Sequence, residues 1–283
     1  MIFTTVISPE QLHERLGDSE LAIFDCRHSL ADFSLGRHLY DESHIPGAFF
    51  ADTETDLSGT KTGTNGRHPL PDPERFARFL RIRGVDDDTQ IVAYDEGADI
   101  FAARLWFLAR WIGHDAVALL DGGFNAWTAR RYPVTAAPVQ PAREGALTIR
   151  LHPEYLVDAE YVQQHLRSDE MQLIDARAND RYRGEVGGMD PVAGHIPGAK
   201  NRCFEENFRP DGTLKSPQEL RADFERAGFS PKRAVHQCGS GVSATVNCLA
   251  MLHAGLEGSR VYNGSWSEWV SDPARPVAAG PEP

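Results

Sequence analysis

Ile91-Val-Ala-Tyr94, then Ile100 to Trp111, then Ala116-Val-Ala-Leu-Leu120 decide the fold class of this chain. The first and last are short apolar runs of the kind that form buried strands. Between them, apolar residues recur at helical spacing up to Gly113, and Asp-Gly-Gly follows the second run as a turn signal. Ala234-Val-His-Gln237, Ser243 to His253 and Arg260-Val-Tyr262 repeat this order. Strands alternating with helices predict an α/β fold around a mostly parallel sheet with helices on both faces. Right-handed crossovers follow from strand twist.

Working outward, the second half of the chain restates the first. Leu21-Ala-Ile-Phe-Asp25-Cys-Arg27 returns as Met171-Gln-Leu-Ile-Asp175-Ala-Arg177. His44-Ile-Pro-Gly-Ala48 returns as His195-Ile-Pro-Gly-Ala199, and Asp121-Gly-Gly-Phe-Asn-Ala-Trp127 as Asn263-Gly-Ser-Trp-Ser-Glu-Trp269. The offsets are 150, 151 and 142 residues, in the same order. Two copies at this period make a tandem domain pair, not a solenoid. Pro133 to Gly145 is rich in Pro and Ala and has no hydrophobic period, so it reads as a linker. The expected domains are 1–138 and 139–283. Trp127 and Trp269 are expected to be core aromatics.

The chain has 283 residues, enough for two self-sufficient cores, and a net charge of −12. That charge argues against a general nucleic-acid binder. The four cysteines, Cys26, Cys203, Cys238 and Cys248, form no C-x-x-C pair and are too few for a disulfide scaffold. No metal and no organic cofactor is expected. The N-terminal stretch has no basic segment followed by an apolar one, and no apolar run approaches membrane-spanning length. The expected compartment is the cytoplasm, without membrane association.

His236-Gln-Cys238-Gly-Ser-Gly-Val-Ser-Ala244 carries the chemistry. A cysteine leaves a strand, two glycines follow within three residues, and a helix begins at once. Glycines permit positive φ and close approach. Backbone N–H groups of such a loop, with the helix N-terminus, form an anion-binding nest that favours a thiolate. Cys26, Cys203 and Cys248 read as structural, with Cys248 inside the helix among Val246, Leu249 and Met251. The copies align Asp95 with Cys238. The acidic loop Asp95 to Asp99 has no thiol, so the first copy is expected to be catalytically silent.

Cys238-Gly-Ser-Gly-Val-Ser-Ala244 resembles the active-site loop of 3-mercaptopyruvate sulfurtransferases, with Ser243 in place of threonine. Gly194-His-Ile-Pro-Gly198 and Asn263-Gly-Ser-Trp-Ser-Glu-Trp269 resemble further rhodanese-superfamily motifs. The resemblance implies two rhodanese-like domains, an active site in the cleft between them, and Cys238 as the residue carrying sulfur as a persulfide. It implies a proton relay through Ser240 and His68, the latter in Gly66-Arg-His-Pro-Leu-Pro71. Asp52 is the nearest match to the acidic partner of that histidine, with Asp56 a further possibility. It also implies that Arg181 binds the anionic end of the donor, with Arg183 a weaker candidate. Gly239, Gly241, Val242 and Ser243 complete the loop around the substrate. The family's second arginine has no counterpart in Glu185-Val-Gly-Gly-Met-Asp-Pro191, which contains no basic residue.

Thiosulfate-specific relatives place basic residues directly after the cysteine, whereas Gly239, Ser240 and Gly241 are uncharged. The expected donor is therefore 3-mercaptopyruvate, with thiosulfate the alternative. The expected partners are a small anionic sulfur donor and a thiol acceptor such as thioredoxin or glutathione. A cysteine phosphatase would need Arg six positions after the cysteine, where Ala244 stands. A non-catalytic binding module would need no cysteine, and Cys238 is present.

Overall fold

The computed structural model describes residues 2–98 and 100–283. Asp99, counted above in the acidic loop, lies outside them. The described chain divides into two compact units. The first comprises residues 1–59, 71–152 and 208–214, and the second comprises 60–70, 153–207 and 215–283. The first unit thus runs past residue 138 and takes in the Pro-rich stretch. One short segment of each sequence copy belongs to the other unit.

In the first unit, β1 (Val6–Ile7), β2 (Leu21–Asp25), β3 (Ala48–Phe50), β4 (Gln90–Tyr94) and β5 (Val117–Leu120) form a sheet of order β1-β5-β4-β2-β3. In the second, β6 (Leu156–Val157), β7 (Gln172–Asp175), β8 (Lys200–Asn201), β9 (Ala234–Gln237) and β10 (Arg260–Tyr262) give the same order, β6-β10-β9-β7-β8. Every pairing between these strands is parallel. Chain progression reverses direction between β7 and β9. In open parallel sheets ligands bind at such a switch point, beyond the carboxyl ends of the strands.

The helices follow local rules. Phe101–Trp111 and Ala244–His253 are apolar nearly all round and nearly all buried, as core helices must be. Pro217–Arg226 starts with a full capping box between Ser216 and Glu219, and Pro73–Arg81 starts on an Asp72 cap with proline in its first turn. Each unit has its own apolar centre. Ile23, Val92, Tyr94 and Trp127 are central in the first, and Leu173, Val235, Tyr262 and Trp269 in the second. Trp127 and Trp269 are core residues, as expected, and each donates its indole N–H to a proline carbonyl, Pro133 at 2.9 Å and Pro276 at 2.8 Å.

The duplicated Asp-x-Arg motif is a brace at the carboxyl ends of β2 and β7. Arg177 Nε and Nη2 donate to the Asp175 carboxylate at 3.0 and 2.6 Å, and Nη2 also donates to the Gly194 carbonyl at 2.8 Å. Arg27 grips Asp25 at the same distances and donates to the Ser43 carbonyl at 2.6 Å. These forks are buried, and breaking one by removing a single partner costs about 3–5 kcal/mol. The duplicated His-Ile-Pro-Gly motif clamps a later strap. His195 Nε2 lies 3.0 Å from the Glu282 carbonyl, and His44 Nε2 lies 3.2 Å from that of Ala137. Among the described residues no helix is long and apolar enough to cross a membrane.

Candidate active site

Cys238 leaves β9 at the switch point of the second sheet. The loop is fixed from behind by the turn after β10. The Cys238 N–H donates to Ser265 Oγ at 3.1 Å, the Cys238 carbonyl accepts from Trp266 N–H at 3.0 Å, and the Gly239 carbonyl accepts from Ser267 N–H at 2.9 Å. Gly241 must be glycine. Its φ is +82°, and a β-carbon there would fall 2.1 Å from the Asn263 carbonyl oxygen. That backbone turns the Gly241 N–H onto Cys238 Sγ at 3.1 Å. The thiol is therefore buried, with a backbone donor aimed at it. Val242 and Ser243 are buried where the loop enters the helix Ala244–His253, and the Ser243 side chain makes no capping bond.

Ser240 Oγ lies 2.7 Å from His68 Nδ1, and both residues are buried. His68 comes from residues 60–70, part of the second unit although they fall within the first sequence copy. The segment is pinned to the turn after β10. Arg67 N–H donates to Ser267 Oγ at 3.0 Å, and Asn263 Nδ2 donates to the His68 carbonyl at 3.2 Å. Cys238, Ser240 and His68 thus all belong to one unit. Asp52 belongs to the first unit, and its carboxylate caps a turn. Its Oδ1 accepts from the N–H groups of Glu54 and Thr55, both at 2.8 Å. With Asp56 it lines a cavity of about 530 Å³ that also contains Arg37, Tyr40 and Arg83. Burial raises the Asp56 carboxyl above its ordinary value.

Two residues here fall outside the set read from the sequence. Arg67, immediately before His68, and Asp190 form an ion pair, and Arg181 Nη2 stands 4.0 Å from Asp190 Oδ2. Both arginines reach the cysteine loop. A β-carbon on Gly239 would lie 3.0 Å from Arg67 Nη2 and 3.2 Å from Arg181 Nη2. Burial pushes the Arg67 guanidinium below its ordinary value, the charge of Cys238 raises it, and Arg181 and Arg177 oppose it as like charges. The stretch Glu185 to Pro191 supplies no second arginine, as its sequence requires; it supplies a carboxylate. The second guanidinium arrives from a segment far away in sequence. The signal available in the sequence was the Arg-His dipeptide of Gly66-Arg-His-Pro. Arg183 is engaged differently, with Nη1 3.6 Å from Glu185.

All four cysteines are free. Cys26 and Cys248 are buried, and Cys203 is partly so. Burial raises the thiol of Cys26 well above its ordinary value and that of Cys203 less, so neither is prepared as a nucleophile. In the first unit Asp95 occupies the position of Cys238. It follows Tyr94, which pairs with Asp25, as Cys238 follows Gln237, which pairs with Asp175.

The fold and site define a tandem pair of parallel α/β units, one of which presents a buried, amide-capped thiol at its switch point beside two arginines. The chain belongs to the rhodanese family: the rhodanese-like domain matches residues 8–130 and 158–272. It is 44% identical over 279 residues to a Pseudomonas aeruginosa protein named "Probable 3-mercaptopyruvate sulfurtransferase", covering 97% of this chain and 98% of that one. It is 34% identical to the thiosulfate sulfurtransferase of Mus musculus, covering 95% and 93%. Among solved structures it resembles SseA from Escherichia coli, described with the 3-mercaptopyruvate sulfotransferases. The TM-score is 0.82 at 33% identity, covering 93% of this chain and 99% of that one.

Proposed function

We propose that this protein is a sulfurtransferase that takes sulfur from 3-mercaptopyruvate onto Cys238 and passes it to a thiol. The observation that carries this reading is the second unit's grouping of a buried thiol under the Gly241 N–H, a Ser240–His68 pair and the guanidinium groups of Arg67 and Arg181. The arginines suit the donor carboxylate, for which a planar guanidinium offers paired N–H groups. The Cys238 thiolate attacks the donor sulfur, the carbon–sulfur bond breaks, and its electron pair leaves with the pyruvate enolate. Ser240, relayed by His68, delivers the proton that turns the enolate into pyruvate. The outer sulfur stays on Cys238 as a persulfide, with the loop N–H groups facing its charge. A thiol such as reduced thioredoxin or glutathione, or cyanide in an assay, then removes it, and the kinetics are ping-pong.

Thiosulfate is the second reading, and one observation favours it: Arg67 adds a positive charge beside the loop that the sequence around Cys238 lacks. The proposed location is the cytoplasm, where thiols stay reduced.

The test is initial rates with each donor against cyanide, for the wild type and for Cys238→Ala. The expected result is faster turnover of mercaptopyruvate, abolished in the variant, with one sulfur atom on the wild-type protein by intact mass after donor alone. Turnover that survives Cys238→Ala would overturn the reading.

A further inference from the structure

We propose that Asp190 sets the donor preference by cancelling one of the two arginine charges beside Cys238, so that the site offers one net positive charge to an incoming donor. The proposal rests on the sulfurtransferase reading and names the residue that determines its specificity.

The charges of the second unit near the loop can be paired off. Arg177 is bound to Asp175 in a buried fork and contributes no net charge. Arg183 faces Glu185 at 3.6 Å. Arg67 and Arg181 remain, with Asp190 between them. Asp190 is held there. Its side chain is only 6% exposed, and its Oδ2 is buried without a hydrogen-bond partner. A carboxylate in that position is retained by the guanidinium groups, since burying an unpaired charge is costly. Arg67 and Arg181 are less enclosed, at 23% and 33% exposure, so their free N–H groups can turn to a ligand.

Two positive charges and one negative leave one positive. A singly charged α-keto acid balances that site. Doubly charged thiosulfate leaves one negative charge uncompensated next to a thiolate. Removing the Asp190 charge changes the energy of a dianion by twice as much as that of a monoanion. At several ångströms in a partly buried site this difference is worth about tenfold in relative kcat/KM.

The experiment compares the wild type, Asp190→Asn and the double variant Asp190→Asn with Arg67→Gln. Asparagine keeps the shape of the side chain and removes its charge. The double variant restores a single net positive charge without restoring the ion pair. The expected thiosulfate-to-mercaptopyruvate ratio of kcat/KM rises about tenfold in Asp190→Asn and returns to within about twofold of wild type in the double variant. An unchanged or lowered ratio in Asp190→Asn overturns the proposal. So does a raised ratio that the double variant fails to lower, because Asp190 would then act through the shape of its loop. Binding of inorganic sulfate and of pyruvate to the same three proteins, by calorimetry, reads the same preference without turnover. A wild type that turns over neither donor would therefore defeat the sulfurtransferase reading while the sulfate-to-pyruvate ratio still judged Asp190.

Discussion

Gly239 and Gly241 stand two residues apart, yet alanine at each should produce opposite kinds of damage. At Gly241 the backbone is left-handed, with φ +82°, and the added carbon would meet the Asn263 carbonyl oxygen at 2.1 Å and its Oδ1 at 2.9 Å. Left-handed backbone costs a non-glycine residue about 1–2 kcal/mol. Relieving the overlap adds about 1–3 kcal/mol, because the obstructing carbonyl is backbone with no free end to swing away. The expected loss of stability is therefore about 2–5 kcal/mol. The Gly241 N–H would also leave Cys238 Sγ, and a hydrogen bond to a charged group contributes about 1.5–3 kcal/mol, or ten- to a hundredfold in kcat/KM. Gly239 has no left-handed φ, and its added carbon meets the flexible ends of Arg67 and Arg181 at 3.0 and 3.2 Å. A shift of a few tenths of an ångström accommodates it, so stability should change by less than about 1 kcal/mol. The displaced arginines should raise KM severalfold with little change in kcat. Denaturant unfolding and steady-state kinetics with mercaptopyruvate measure both effects. A Gly241→Ala protein as stable and active as wild type, or a Gly239→Ala protein that loses kcat and not KM, would refute this account of the loop.

Other consequences follow from the same geometry. If the proposed proton relay runs through the 2.7 Å Ser240–His68 pair, Ser240→Ala and His68→Gln should each lower mercaptopyruvate kcat about a hundredfold, and together no further. Thiosulfate turnover should be far less affected, since sulfite leaves without needing a proton; equal losses on both donors would argue against proton delivery. His236 in β9 is buried, its ring nitrogens have no hydrogen-bond partner, and burial, assisted by Arg202, depresses its pKa to about 3. The unfolded chain therefore binds the extra proton between pH 3 and about 6.5. The stability this neutral ring permits is full above that range and is lost as pH falls through it, at up to about 1.4 kcal/mol per pH unit. His236→Leu should thus lose about 2 kcal/mol less than wild type between pH 7.5 and pH 5 in denaturant unfolding. Parallel pH dependences would count against a neutral buried His236.

What could be read from the sequence was whatever the chain encodes locally. The strand of Ala234 to Gln237 is found at those residues, and the helix expected over Ser243 to His253 begins one residue later, because apolar runs and glycine breaks are visible within a dozen positions. The thiol loop was legible for the same reason: two glycines between a strand and a helix force a nest. The edge strands β1, β6 and β8 have two residues each, too short to show any period. The assignment of 60–70 and 208–214 to opposite units left no local trace either, since both are polar connecting segments. Arg67 was missed with them: its neighbour His68 could be matched to a motif, but its place beside Gly239 is set by Ser267 and Asn263, some 200 residues away. Asp52 was legible only as a residue type at a suitable position: that its Oδ1 accepts from the N–H groups of Glu54 and Thr55 follows from the turn the chain makes there.

The two copies build the same frame around different side chains. After β4 and after β9 the chain makes the same turn. The carbonyls of Asp95 and Glu96 accept from Phe124 and Asn125, as those of Cys238 and Gly239 accept from Trp266 and Ser267. Such a loop aims N–H groups inward and favours an anion at its centre. In the first copy the anion position is filled by a side chain. Asp95 Oδ1 accepts from Gly97 at 3.0 Å and Oδ2 from Ala102 at 2.9 Å, engaging both carboxylate oxygens. In the second, Cys238 Sγ accepts from Gly241 alone among the bonds described around it. A carboxylate spends the nest on itself and has no group to give away. A thiol is one bond shorter and, in the proposed reaction, would present its sulfur to the Gly241 N–H together with any charge it gained there. The Asp95 carboxylate thus fills with its own oxygens the position that, in the second unit, is left to the sulfur of Cys238.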